Sequence, residues 1–120
     1  MLQFHPPRAS LVTVCYEPGF KKPEMVKRRL AVVMSLPMNT RPQLITVLPL
    51  SKTEPDRPAP YHCKIRIPFE LPEAWGDCER WVKADMVCAV GWHRCDLLNM
   101  GKDRNGKRLY QTQRLPPEIF

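Results

Sequence analysis

Short apolar runs divided by prolines make up most of this chain. Runs rich in Val, Ile and Leu at Leu11–Tyr16, Leu30–Leu36, Leu44–Leu50 and His62–Ile67 are too short for typical helices, and each predicts a strand. Further extended stretches cover Trp81–Lys83 and Val87–Trp92. Of the fourteen prolines, those at 6–7, 18, 23, 37, 42, 55, 58, 60, 68, 72 and 116–117 stand between the runs and mark turns, not a low-complexity tail. Asp103-Arg-Asn-Gly-Lys107 carries an Asn-Gly pair, the favoured chemistry of a two-residue hairpin turn. Leu115-Pro-Pro-Glu118 has the composition of a first helical turn, with proline early and an acid beside it. No repeat, linker or heptad is present. Five to seven short strands at this spacing predict a mainly β (α+β) fold, a small barrel with short helices, and one domain over residues 1–120.

Charge adds a partner class. Lys and Arg number 19 against 12 Asp and Glu, a formal charge of +7, which reads equally as simple solubility or as a preference for a polyanionic partner: nucleic acid, an acidic protein or an anionic membrane surface. The excess is clustered. Lys21, Lys22, Lys27, Arg28 and Arg29 are opposed only by Glu24, and Lys102, Arg104, Lys107 and Arg108 only by Asp103. Either cluster alone reads as a solvated loop, whereas two on one small domain point to a phosphate-binding surface. No apolar run approaches the ~20 residues that cross a bilayer, and the first residues lack an apolar signal core, so a membrane partner is not expected. The five cysteines form no CxxC pair, and His62-Cys63 has no second pair at zinc-ligand spacing. They predict buried reduced thiols, a cytoplasmic protein and no metal site.

Three residues could work on a phosphodiester. Transesterification of RNA needs a group to take the 2′-OH proton, one to protonate the leaving oxygen, and donors for the charge developing on phosphorus. Arg29 stands at the mouth of the strand opening at Leu30, and its planar fork suits two phosphate oxygens. Arg28 should point the opposite way if the strand has already begun. Glu24 lies among four cations that favour its charged form, and Ser51 follows the run Leu44–Leu50 at the barrel rim. Each has an ordinary reading as well: Glu24 as a surface ion-pair partner, Arg29 as a sheet-edge charge, Ser51-Lys52-Thr53 as a turn. The signal lies in the combination. His62 is at most an RNA contact, and Trp75, Trp81 and Trp92, though able to stack bases, are expected to pack the core.

This combination resembles the toxin half of the MazF/PemK toxin–antitoxin family. Glu24 looks like the family's loop acid, Arg29 like its arginine opening an apolar strand, and Ser51 like the hydroxyl closing the next. Lys83-Ala-Asp85-Met-Val87 is similar to its Ala-Asp-Gln-Val stretch, which there lies near the subunit interface. The resemblance runs from about Val12 to Trp92. It is nearest a PemK-like branch with a Pro-Glu-Met-Val-Lys-Arg-Arg loop, a Pro-Tyr-His stretch and an Asp-Arg-Asn-Gly-Lys-Arg hairpin. Leu30 replaces the usual proline and Ser51 a common threonine.

The resemblance implies an SH3-like barrel and a metal-independent endoribonuclease that needs no cofactor. It would cut single-stranded RNA to a 2′,3′-cyclic phosphate and a 5′-hydroxyl. Arg29 would stabilise the phosphorane, Ser51 hold a phosphate oxygen and Glu24 act as base, with Lys27, Arg28, Lys52, His62, Lys102, Arg104, Lys107 and Arg108 on the RNA. It further implies a homodimer and an acidic, partly disordered antitoxin. Two rivals are a non-catalytic RNA- or protein-binding module and a gyrase poison on the same barrel. The latter acts through a C-terminal helix, for which this sequence has at most a stub.

Overall fold

The computed structural model describes residues 1–17, 19, 28–37, 43–52, 62–72, 75–76 and 78–116. Among these residues eight antiparallel strands form one sheet: β1 (Leu11–Cys15), β2 (Arg28–Val33), β3 (Leu44–Ser51), β4 (His62–Arg66), β5 (Glu79–Lys83), β6 (Cys88–Gly91), β7 (Cys95–Lys102) and β8 (Arg108–Gln111). The order is β4-β5-β3-β2-β1-β7-β8, with β6 also on β3. This is the mainly β, barrel-like architecture the sequence predicts. The described residues include 3₁₀ turns at Ala84–Met86 and Trp92–Arg94.

β1, β2 and β3 read as nearly continuous apolar runs because both of their faces are covered. Leu11, Leu30, Val32 and Leu50 pack one cluster with Ile67, Phe69, Val82 and Leu98. Val12, Val14, Ala31, Val33, Ile45 and Val47 pack a second with Tyr16, Val90 and Cys95. A strand buried on one side only would alternate polar and apolar residues instead.

β3 organises the sheet. Val47 pairs both Val33 of β2 and Cys88 of β6, so these strands lie on opposite edges of β3. β6 takes the first half of β3 up to Val47, and β5 takes Leu50 and Ser51. From Val47 to Leu50 β3 advances three residues while the returning chain spans six, Cys88 to Val82. The 3₁₀ turn Ala84–Met86 absorbs the excess. Pro49, which has no N–H to contribute, falls in this gap between the two partners.

Several expectations are corrected. The strand expected at Leu30 begins at Arg28 and ends at Val33, so Arg29 is within it. β7 was not expected as a strand, although it joins β1 to β8. The hairpin turn is not a two-residue turn. Gly106 N–H bonds Asp103 O at 3.1 Å, Asp103 N–H bonds Lys107 O at 2.8 Å, and Gly106 has φ +79. That is a type I turn closed by a left-handed glycine, with Asn105 N–H and Lys107 N–H both 2.9 Å from Asp103 Oδ1. All five cysteines are free, but only Cys95 is fully buried and Cys63 is exposed. The helix expected at 115–118 lies in part outside the described residues; Leu115 is buried and bonds Ala9 O through its N–H at 3.0 Å.

Candidate nucleic-acid interface

Strand register brings Arg29 and Ser51 together. The β2–β3 pairs are Val33–Val47, Val32–Leu48 and Ala31–Pro49; carried two residues further along both strands, the same alignment sets Arg29 against Ser51. Both share the face of Ala31, Val33 and Val47, because side chains two apart on a strand point the same way. Ser51 is the last residue of β3 and is 8 % exposed; Arg29 is half-buried.

The alignment continues to either side. Val14 pairs Arg29 and Cys95, Ser51 pairs Trp81, and Trp81 pairs Lys64. Directly opposed residues put their side chains on one face. Extending the β2–β3 register two residues past its last pair joins these into one row: Cys95, Val14, Arg29, Ser51, Trp81, Lys64. Its first two members are buried, and its last, Lys64, is exposed.

Behind Arg29 the wall is buried and neutral. Tyr16 is fully buried, and burial, reinforced by the Cys88 and Cys95 thiols, holds its phenol protonated well above the ordinary range against the opposing pull of Arg29. Burial, then the Asp96 carboxylate, push the Cys95 thiol up to about 12. A guanidinium at the end of such a wall is desolvated on one side, which strengthens its attraction for an anion on the other.

The remaining expected contacts divide into separate places. Lys52 follows Ser51, is exposed, and lies across Gly76, where a Cβ would come within 2.7 Å of the Lys52 ammonium. Arg28 occupies the face opposite Arg29, its guanidinium 3.3 Å from Thr13 Oγ1 and 3.6 Å from the Asp96 carboxylate. With Arg108, Asp96, Asn99, Tyr110 and Phe4 it lines a cavity of about 520 Å³. Lys102, Arg104 and Lys107 are exposed at the β7–β8 hairpin. Among the described residues, Arg28 and Arg108 thus share a cavity away from the face of Arg29. Glu24, Lys27 and the His62 side chain lie outside the described residues.

The sequence reading expected Trp81 to pack the core, but it stands half-buried on one face of β4 and β5 with Lys64, Arg66 and Lys83, cations that the reading did not assign to the site. It also passed over Arg94, which donates to Cys15 O at 3.3 Å at the end of β1. Among the described residues no three His, Cys, Asp or Glu side chains are grouped to hold a metal ion, and no helix is long and apolar enough to cross a membrane.

A small antiparallel, barrel-like sheet is the architecture that the resemblance led us to expect. The chain belongs to the PemK-like, MazF-like toxins of type II toxin–antitoxin systems, whose family model matches residues 7–107. Membership implies an antitoxin partner and, typically, dimerisation. No curated protein gave a significant match.

Proposed function

We propose that this toxin is a metal-independent endoribonuclease that cuts single-stranded RNA to a 2′,3′-cyclic phosphate and a 5′-hydroxyl. The observation that supports the reading is the β2–β3 register, which, extended two residues beyond its last pair, Ala31–Pro49, puts Arg29 opposite Ser51 on one face. Arg29 supplies a permanent, forked cation for the charge that builds on the phosphoryl oxygens, and Ser51 supplies a hydroxyl donor to one of those oxygens. Glu24 is the base for the 2′-OH. The protein acts in the cytoplasm as a homodimer, and an acidic antitoxin neutralises its +7 charge.

The test is incubation with a long single-stranded RNA in excess EDTA, beside Arg29→Ala and Ser51→Ala. We expect discrete fragments with cyclic-phosphate ends, and a loss on the order of 100-fold for Arg29→Ala, as for other preplaced oxyanion donors. RNA that binds but stays intact overturns the enzyme and leaves a binding module. Cleavage that is equal in all three samples removes these residues from the chemistry.

A further inference from the structure

His5 and Ser35, thirty residues apart, are joined by a hydrogen bond: His5 Nε2 lies 2.9 Å from Ser35 Oγ. The other ring nitrogen, Nδ1, lies 2.7 Å from the Pro6 carbonyl oxygen. A carbonyl oxygen only accepts, so Nδ1 carries a proton. In the neutral ring Nε2 is then the acceptor, and the Ser35 hydroxyl donates to it. A serine bonded to one ring nitrogen, with the other nitrogen held by a second acceptor, is the arrangement that activates a serine nucleophile.

The serine oxygen is fixed from its other side. Met34 N–H bonds Thr46 O at 2.9 Å, and Thr46 N–H bonds Ser35 Oγ at 3.0 Å, so the hydroxyl takes a main-chain place just past the end of β2. That bond uses one of its two lone pairs and leaves the other to attack. The N–H also meets negative charge as it develops on the oxygen. Access separates Ser35 from the chain's two other serines. Ser10 and Ser51 are buried, whereas Ser35 is half-buried, and Leu36 beside it is 62 % exposed.

We propose that Ser35 is a nucleophile, activated by His5, that takes activated acyl and phosphonyl groups from small esters. With an acyl donor, Ser35 Oγ bonds to the acyl carbon. The bond from that carbon to the leaving oxygen breaks, and its electron pair departs on that oxygen. The Ser35 proton passes to His5 Nε2 and from there to the leaving oxygen, giving an ester on Ser35 and a free alcohol. The site is separate from Arg29 and Ser51. Thr46, which holds Ser35, precedes Ser51 by five residues on β3, about 17 Å along an extended strand.

The test treats the folded protein with an alkyl fluorophosphonate, in which phosphorus stands for the acyl carbon and fluoride for the leaving group. The Oγ–P bond forms as the P–F bond breaks, and ordinary hydroxyls are spared because they lack a base. Peptide mapping by mass spectrometry should find the label on Ser35 and on neither Ser10 nor Ser51. His5→Gln keeps an acceptor for the Ser35 hydroxyl but takes no proton, and should slow labelling at least about 100-fold. Free imidazole should restore labelling of His5→Ala, a response that a merely structural histidine does not give. Arg29→Ala should label at the wild-type rate, so the outcome is independent of whether RNA is cut.

Wild-type protein that stays unlabelled at Ser35 overturns the proposal, and so does labelling that His5→Gln does not slow. A label on Ser51 in place of Ser35 overturns the assignment. If the His5 variants do not fold, as read by their urea midpoints, the wild-type peptide map decides.

Discussion

Arg28 and Arg29 are adjacent in sequence and stand on opposite faces of β2. Arg28 is held by Thr13 and Asp96, at 3.3 and 3.6 Å, while Arg29 faces Val14 across β1 and aligns with Ser51 on β3. Two residues that composition cannot distinguish therefore have different work. Arg28→Ala should leave metal-free cleavage within about fivefold of wild type and stability within about 1 kcal/mol, the range of an exposed ion pair. Single-turnover rates and urea midpoints measure both. An Arg28→Ala defect equal to that of Arg29→Ala would remove the distinction.

Arg80 makes a second contrast, since it is 2 % exposed. Its guanidinium donates to Glu79 O at 2.7 Å and to Trp75 O, holding the turn at Trp75 against β5. Arg80→Met keeps the apolar stem and removes the donors, which leaves carbonyls in a buried site. We expect a loss of about 2–4 kcal/mol, read as a lower urea midpoint. A midpoint equal to that of the wild type would mean that desolvation of the charge cancels its hydrogen bonds.

At the β7–β8 turn the limit is conformational. A Cβ at Gly106 would meet nothing within 4 Å, yet φ is +79. Gly106→Ala should cost about 1–2 kcal/mol, and Gly106→Asn distinctly less, because asparagine tolerates the left-handed region. Thermal denaturation of the two variants orders them. Equal stability would show that the turn can relax to another form.

Alkali should destabilise the fold. Burial and Asp96 raise the Cys95 thiol from 9.0 to about 12, so above about 9 the unfolded chain releases a proton that the folded chain keeps. The unfolded state then binds fewer protons, and stability falls as pH rises through that window, by about 1.4 kcal/mol per unit for one group. Tyr16, raised in the same way from 10.0, adds to the fall at its upper end. Urea midpoints from about pH 8 to about pH 11 follow this, and Cys95→Val should flatten the first part. A midpoint constant across that range would contradict the buried, protonated thiol.

The sequence disclosed what local composition encodes. Runs such as Leu11–Cys15 and Leu44–Ser51 are apolar on both faces, so they stand out as strands without any knowledge of their partners. β7 did not, because Asp96, Asn99 and Gly101 interrupt it; Gly101 has φ +104, and the register shifts between Asn99 and Gly101. Its strand character comes from β1 and β8 on either side. Arg29 and Ser51 were legible as polar groups at strand ends, but their alignment depends on register between segments twenty residues apart. Lys64, Arg66 and Lys83 were not assigned to the site, and Trp81 was expected in the core, for the same reason, since no window of sequence holds both β4 and β5.

The row through Arg29 and Ser51 takes its members from six strands, and its outermost positions in sequence are Val14 and Cys95. A nascent chain that has exposed both Arg29 and Ser51 outside the ribosome still lacks β5 beside Ser51 and β7 beside β1. Non-local pairings of this kind form only after the later segments have emerged. Aborted translation products ending before Glu79 therefore carry both residues without the framework that aligns them. The framework of this row is complete only once Cys95 has emerged.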